Sequence, residues 1–303
     1  MREARIEHFN IDMGCDLRCE GCEKYLDCTA SEKTLSYERR RMEIAREVMK
    51  NIKHKILVIG GKGGVGKSLV TANLATALAM KGKKVTVLDQ SYDAPVVCKM
   101  LGFTGKRMRV EREGIIPSEG LLGIQLVSMG LILEEDEVLT WFHEMKRNAT
   151  EEFLCHVVYG NRDYLVVDVP AGTSSDTVNL LEYVPDLDGV VVVTIPSQVS
   201  QFVAKRAIML SRKIGTKIIG VIENMRGFTC PECHYKENIL QVGGGEILAK
   251  ELGIPFIGGI SLDPRISEAS DEGIPFVYKY PDVEGSEVIR AIADEVERQL
   301  GEV

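Results

Sequence analysis

KILVIGGKGGVGKS, residues 55–68, decides the fold. Lys55 to Gly60 is a short β-branched run with the length of a buried strand. Gly61 to Ser68 fits G-x-x-x-x-G-K-[ST] in full. Ser68 to Lys81 then reads as a helix, with Gly82 where a C-terminal cap belongs. Strand, glycine turn and helix in this order make a phosphate-binding loop. The glycines let backbone N–H groups turn inward around phosphate oxygens, and the helix N-terminus adds its positive dipole end. The spacing therefore predicts that Gly61, Lys62, Gly63, Gly64, Val65, Gly66, Lys67, Ser68 and Leu69 line a nucleotide. Lys67 reaches the β- and γ-phosphates, and the Ser68 hydroxyl ligates Mg²⁺.

Outward from this loop, strands and helices alternate. Val85–Asp89, Tyr164–Val169, Gly189–Ile195, Lys217–Ile222 and Ile254–Gly259 are further apolar runs, with helical stretches between most of them. Alternation of this kind predicts an α/β fold with a doubly wound, mostly parallel sheet covered on both faces, whose ligands bind at the carboxyl ends of the strands. Asp168 ends one such strand and leads into Val-Pro-Ala-Gly-Thr, so its carboxylate is expected in the Mg²⁺ shell, with Gly172 free to follow the γ-phosphate. Asp89 ends another strand, where a water-positioning or Mg²⁺-linked carboxylate belongs. The division expected is a Cys-rich segment over 1–35, a linker helix over 36–53 and the main domain over 54–303. Gly285–Leu300 reads as a closing amphipathic helix.

Composition narrows the function classes. A net charge of −8 argues against non-specific nucleic-acid binding, and no apolar run approaches a membrane span. The acidic final helix makes a poor lipid anchor, and the first fourteen residues carry no secretory pattern. The expected location is the cytoplasm, with neither membrane nor nucleic acid as a partner. Six of the eight cysteines are clustered, four between Cys15 and Cys28 and two in Cys230-Pro-Glu-Cys233. In an unsecreted chain, clustering suggests metal or cluster ligands over disulfides. Cys98 and Cys155 stand alone and read as small buried hydrophobes.

Lys62 is a second lysine inside the loop, and GKGGVGKS resembles the deviant Walker A of the MinD/ParA-type ATPases. Within that group the chain most resembles the Mrp-type iron–sulfur cluster carrier ATPases, from about Lys55 to Val277. The most specific piece is Glu223-Asn-Met-Arg-Gly-Phe-Thr-Cys-Pro-Glu-Cys233, close to ENM-x-GF-x-C-P-x-C; Ser128-Met-Gly130, Gly243-Gly-Gly245 and Leu262-Asp-Pro264 follow at family-like places. The resemblance implies a homodimer in which Lys62 reaches the partner's nucleotide, as an arginine finger does. It also implies that Asn224 contacts adenine, and that Asp263 and Pro264 lie at the nucleotide. One departure stands out. Relatives carry D-x-D-x-x-G-P-S after the second strand, whereas Asp89-Gln-Ser-Tyr-Asp93 has Ser91 at the second position and a carboxylate at Asp93, a spacing more like the nitrogenase iron protein. Lys62, Lys67, Asp89, Asp93 and Asp168 form the expected catalytic set.

Two cysteines per chain are too few for a closed four-ligand site. Across a two-fold axis Cys230 and Cys233 make four, which suits a bridging [4Fe–4S] cluster or tetrahedral Zn²⁺. Read alone, C-x-x-C also fits a redox disulfide or half a zinc knuckle; the resemblance favours the bridging cluster. Cys15, Cys19, Cys22 and Cys28 are a four-thiolate set in one chain, similar to the ferredoxin-like extension of some Mrp-type carriers and open to a [4Fe–4S] cluster or Zn²⁺. The function these features imply is an ATP-dependent carrier that hydrolyses ATP as a dimer and hands a [4Fe–4S] cluster to apo iron–sulfur proteins. The alternative is an ATP-driven electron donor resembling the nitrogenase iron protein.

Overall fold

The computed structural model describes residues 31–133, 143–230, 233, 235–238 and 242–302. Cys15, Cys19, Cys22 and Cys28 lie outside the described residues. Among the described residues the strands run β1 (Ile52–Ile59), β2 (Val85–Asp89), β3 (Arg109–Glu111), β4 (Gly114–Ile116), β5 (Ser118–Glu119), β6 (Gln125–Val127), β7 (Arg162–Asp168), β8 (Gly189–Thr194), β9 (Ile218–Thr229), β10 (Lys236–Glu237) and β11 (Phe256–Leu262). The helices run α1 (Ser31–Met49), α2 (Lys67–Met80), α3 (Val97–Met100), α4 (His143–His156), α5 (Ser175–Tyr183), α6 (Gln198–Ile214), α7 (Gly244–Leu252), α8 (Pro264–Glu272), α9 (Phe276–Lys279) and α10 (Glu284–Leu300).

One sheet holds the domain together in the order β10-β9-β8-β1-β7-β2-β6-β5, with β11 also paired to β9. In this sheet β10 and β5 join antiparallel, each to its single described neighbour; β1, β2, β6, β7, β8, β9 and β11 are mutually parallel. The reason is legible in β1. Alternate residues point to opposite faces, and both faces are covered. Ile56 and Val58 pack under α2, α9 and α10 on one side, while Leu57 and Ile59 pack under α4 and α6 on the other. A strand buried on both faces is apolar throughout, which is why these runs do not alternate with polar residues.

Two boundaries differ most from expectation. The linker helix spans Ser31–Met49, not 36–53. Ile52 and Lys53 instead open β1, because Ile52 already pairs with Arg162 and the parallel ladder takes the residues that the helical stripe claims in sequence. β9 runs to Thr229, well past Ile222, because β11 and β10 continue to pair with it beyond the edge of β8. The antiparallel β3–β4 hairpin and the edge strand β5 carry no strong pattern, being two or three residues each.

Candidate nucleotide and cysteine site

The loop between β1 and α2 is shaped by three glycines, for two different reasons. Gly64 and Gly66 have φ of 79° and 90°, in the left-handed region that glycine adopts freely. Gly61 is required by space. A Cβ there would lie 2.2 Å from the backbone carbonyl carbon of Val203 on α6. Asn224 of β9 braces the loop from below, its Nδ2 donating to the Val65 carbonyl at 3.0 Å. The Gly172 amide donates to the Gly60 carbonyl at 3.2 Å, so the segment after β7 also rests on the loop.

Lys67 is buried at the first turn of α2, and burial lowers its pKa against the opposing pull of Asp168. Lys62 is exposed, with no side-chain partner among the described residues. Ser68 donates to Asp168 Oδ2 at 2.6 Å and Thr71 donates to Oδ1 at 3.1 Å. Asp168 and Asp89 sit opposite each other at the ends of β7 and β2. Burial first, then the Asp168 charge, pushes the Asp89 carboxyl up to about 8; burial also raises Asp168, with Ser68, Lys67 and Thr71 among the groups pulling the other way. Two buried carboxylates and a serine hydroxyl are hard oxygen donors, a set whose chemistry fits Mg²⁺.

Several further residues complete this end of the sheet. Ser128 donates to Asp89 Oδ2 at 3.0 Å, and the Ser91 amide donates to Oδ1 at 2.9 Å. Gln90 Oε1 accepts from Tyr92 at 2.6 Å and from Thr150 of α4 at 2.9 Å. Asp93 is exposed and paired with Lys146 of α4. Glu223 is fully buried, accepting from the Gly243 amide at 2.9 Å and from the Gly245 amide, so a carboxylate from β9 caps α7. Ser128 and Glu223 lie in stretches singled out by resemblance; Gln90, Tyr92 and Thr150 carry no signal, since their polar contacts form only after folding. Asp263 caps α8 by accepting from the Arg265 amide at 2.9 Å and holds the Arg265 guanidinium, with Pro264 opening the helix.

Cys230 follows β9 directly. Its amide donates to the Tyr235 carbonyl at 2.9 Å, closing a hairpin into β10. Cys230 is half-buried, Cys233 is exposed, and neither forms a disulfide. No cluster of three or more metal-ligating side chains occurs among the described residues. Cys155 is buried and Cys98 half-buried; burial raises both thiols.

A sheet of this order with a glycine loop between its central strand and a buried helix defines a P-loop NTPase. The family model of ParA, described as NUBPL iron-transfer P-loop NTPase, matches residues 51–297. An iron–sulfur cluster carrier protein of Methanocaldococcus jannaschii is 41% identical over 288 residues, covering 93% of this chain and 98% of the relative. The cytosolic Fe-S cluster assembly factor NUBP2 of Rattus norvegicus is 39% identical over 267 residues, covering 86% of this chain and 98% of the relative. Among solved structures, a nucleotide-binding protein from Archaeoglobus fulgidus in complex with ADP superposes with a TM-score of 0.69 at 31% identity, over 80% of this chain and 98% of that one. The cell division ATPase MinD of Pyrococcus furiosus shares the fold, with a TM-score of 0.64 at 22% identity over 82% of this chain and 99% of that one. The chain belongs to the ParA/NUBPL family of iron-transfer P-loop NTPases.

Proposed function

We propose that this protein binds and hydrolyses ATP as a homodimer, holds a [4Fe–4S] cluster between the Cys230 and Cys233 pairs of two chains, and transfers it to apo-proteins. The observation that carries this reading is the joining of the two sites by one strand. β9 touches the phosphate loop through Asn224 and ends at Thr229, directly before Cys230. The names of the archaeal and mammalian relatives, carrier and assembly factor, agree with it.

The residues divide the work by their chemistry. Loop amides and the α2 N-terminus cradle phosphates, and Lys67 neutralises them. Ser68 and Asp168 would hold Mg²⁺, with Asp89 linked to that shell, and the ion would supply charge neutralisation on the phosphates when bound. Asn224 would meet the base through the part of its amide not given to Val65. Lys62, exposed at the loop, is the group available to a partner chain. Val199 and Phe202 on α6 are 63% and 58% exposed, and the same helix abuts Gly61, which supports a partner at this face. Asp263 and Pro264 are read as flanking the nucleotide. Asp93 is proposed to act only on closure, since its carboxylate is held by Lys146. The thiolates at Cys230 and Cys233 are soft donors and select iron–sulfur or zinc over hard cations. Cys15, Cys19, Cys22 and Cys28 are proposed to hold a second, stable cluster or Zn²⁺ within each chain. No helix among the described residues is long and apolar enough to cross a membrane, and a cytosolic site of action is inferred from the mammalian relative's name.

The test is anaerobic purification with iron and sulfide analysis of the wild type and of Cys230→Ala/Cys233→Ala. The double variant should lose about four irons per dimer, the content of one [4Fe–4S] cluster. Unchanged iron in the double variant refutes a bridging cargo. A redox couple that shifts with nucleotide, in a protein that delivers no iron to an apo-acceptor, would favour electron donation instead.

A further inference from the structure

β9 is a single strand of 12 residues, but its two halves are held differently. Up to Glu223 it lies between β8 and β11. Beyond Glu223, β8 is no longer its partner, and the strand continues as an arm paired to β11 and, at its tip, to β10. The pairing is also broken in register. From Asn224 to Phe228, four steps along β9 match only two steps along β11, from Ile260 to Leu262. Chain is stored in a bulge between the residue that touches the phosphate loop and the residue that precedes the cysteine hairpin.

The bulge contains a strained residue. Met225 has φ of 57°, a left-handed conformation in a residue with a bulky side chain. Such positions persist only when their surroundings impose them, and they collect at switch regions. The surroundings are visible. On one side Asn224 is fixed to Val65. On the other, the Arg226 side chain lies across Gly259, where a Cβ would come within 2.3 Å of its Cδ. The guanidinium sits 5.3 Å from the Phe256 ring centroid and pairs with Glu246 at 3.0 Å. Gly227 is again left-handed, with φ of 67°. Cys230 lies six positions beyond Asn224, a span of no more than about 20 Å.

We infer that Met225 is a positioning residue that couples the nucleotide pocket to the cysteine pair: its fixed left-handed turn makes the Asn224–Cys230 arm move as one body, so nucleotide occupancy sets the accessibility of Cys230 and Cys233. The inference rests on the reading that Asn224 faces the nucleotide, but needs no cluster to be bound. The coupling is reciprocal, since whatever nucleotide does to the cysteines, cargo at the cysteines does to nucleotide affinity. A glycine at this position would occupy left- and right-handed conformations about equally. The arm would lose its fixed angle, and displacement at Asn224 would no longer reach the hairpin.

The experiment uses the full-length, cluster-free protein under anaerobic conditions. Alkylation of Cys230 and Cys233 by iodoacetamide is followed by peptide mass spectrometry, without nucleotide and with saturating Mg·ADP or a non-hydrolysable Mg·ATP analogue. Wild type should show rates that differ about fivefold or more between nucleotide states, the low end of ordinary coupling. Met225→Gly should bind both nucleotides with wild-type affinity, unfold at the same or a higher denaturant concentration, and show nearly equal rates in all states. Arg226→Ala, which removes the side chain that holds the far side of the turn against Gly259, Glu223 and Glu246, should lose the same response. A wild type indifferent to nucleotide, or a Met225→Gly protein that keeps the full response, overturns the inference. Neither outcome bears on whether Cys230 and Cys233 hold iron, which the analysis of the double cysteine variant decides separately.

Discussion

Asp89→Asn offers a direct measure of the strain between the two facing carboxylates. Asp89 is 1% exposed, and burial together with the Asp168 charge raises its carboxyl from the ordinary 3.8 to about 8. In the unfolded chain the group ionises near 4. A group whose folded pKa lies above its unfolded one contributes stability that is complete below the unfolded value and is lost as pH rises towards the folded one. For Asp89 that window runs from about 4 to about 8. At about 1.4 kcal/mol per unit, the folded state loses on the order of 4 kcal/mol by neutral pH. The amide of asparagine keeps an oxygen for the Ser91 N–H and offers a donor to Ser128, so these two of the hydrogen bonds on Asp89, which also include one from the Val97 amide, have replacements. The charge is removed and the shape is kept. Urea unfolding of the Mg²⁺-free, nucleotide-free protein should therefore find the Asp89→Asn variant close to wild type at about pH 4.5 and more stable by a few kcal/mol at about pH 8. Saturating Mg·ADP should erase the advantage by stabilising the wild-type carboxylate. A variant less stable than wild type by the same margin at both pH values would refute the reasoning, because the loss would then come from packing and not from charge.

Two further outcomes follow from the site. Lys62→Ala removes an exposed side chain with no described partner, so unfolding free energy should stay within about 0.5 kcal/mol of wild type. Nucleotide affinity should change little, whereas steady-state ATP hydrolysis should fall on the order of a thousandfold if the lysine acts across a dimer; a wild-type rate in a monomeric variant would remove its assigned role. Glu223→Gln leaves one of the two α7 amides facing an NH₂ group in a buried place. A loss of about 1–3 kcal/mol is expected by urea unfolding, with faster hydrogen exchange at Gly243 to Gly245.

The parts legible in the sequence share a physical cause. β2 is bounded at Val85–Asp89 in sequence and structure alike, because a doubly buried strand must be apolar until its end, where Asp89 lies opposite Asp168. The glycine loop is legible because its backbone geometry admits few residues. Gly61 fits the pattern for a reason the pattern does not contain: its φ is unremarkable, and what forbids a side chain is the Val203 backbone, a neighbour 142 positions along that no local pattern announces. The end of the linker helix differs from its amphipathic stripe because a stripe can run past the residue where a strand partner takes over. Tyr92, Thr150 and Gln90 stay hidden for a related reason. Tyrosine, threonine and glutamine are ordinary surface residues until α4, which carries Thr150, packs over Gln90 and Tyr92, and only the fold turns them into a buried network.

The phosphate loop is held from three sides before any phosphate arrives: by Val203 against Gly61, by Asn224 beneath Val65 and by the Gly172 amide on Gly60. A loop that must be frozen on binding subtracts its ordering entropy from the affinity. Here that entropy is surrendered during folding, alongside the rest of the chain, and is absent from the binding step. Nucleotide can then come and go without remaking its own pocket. The free energy it brings is left to act on the flanking elements, α6 and β9, that hold the loop in shape.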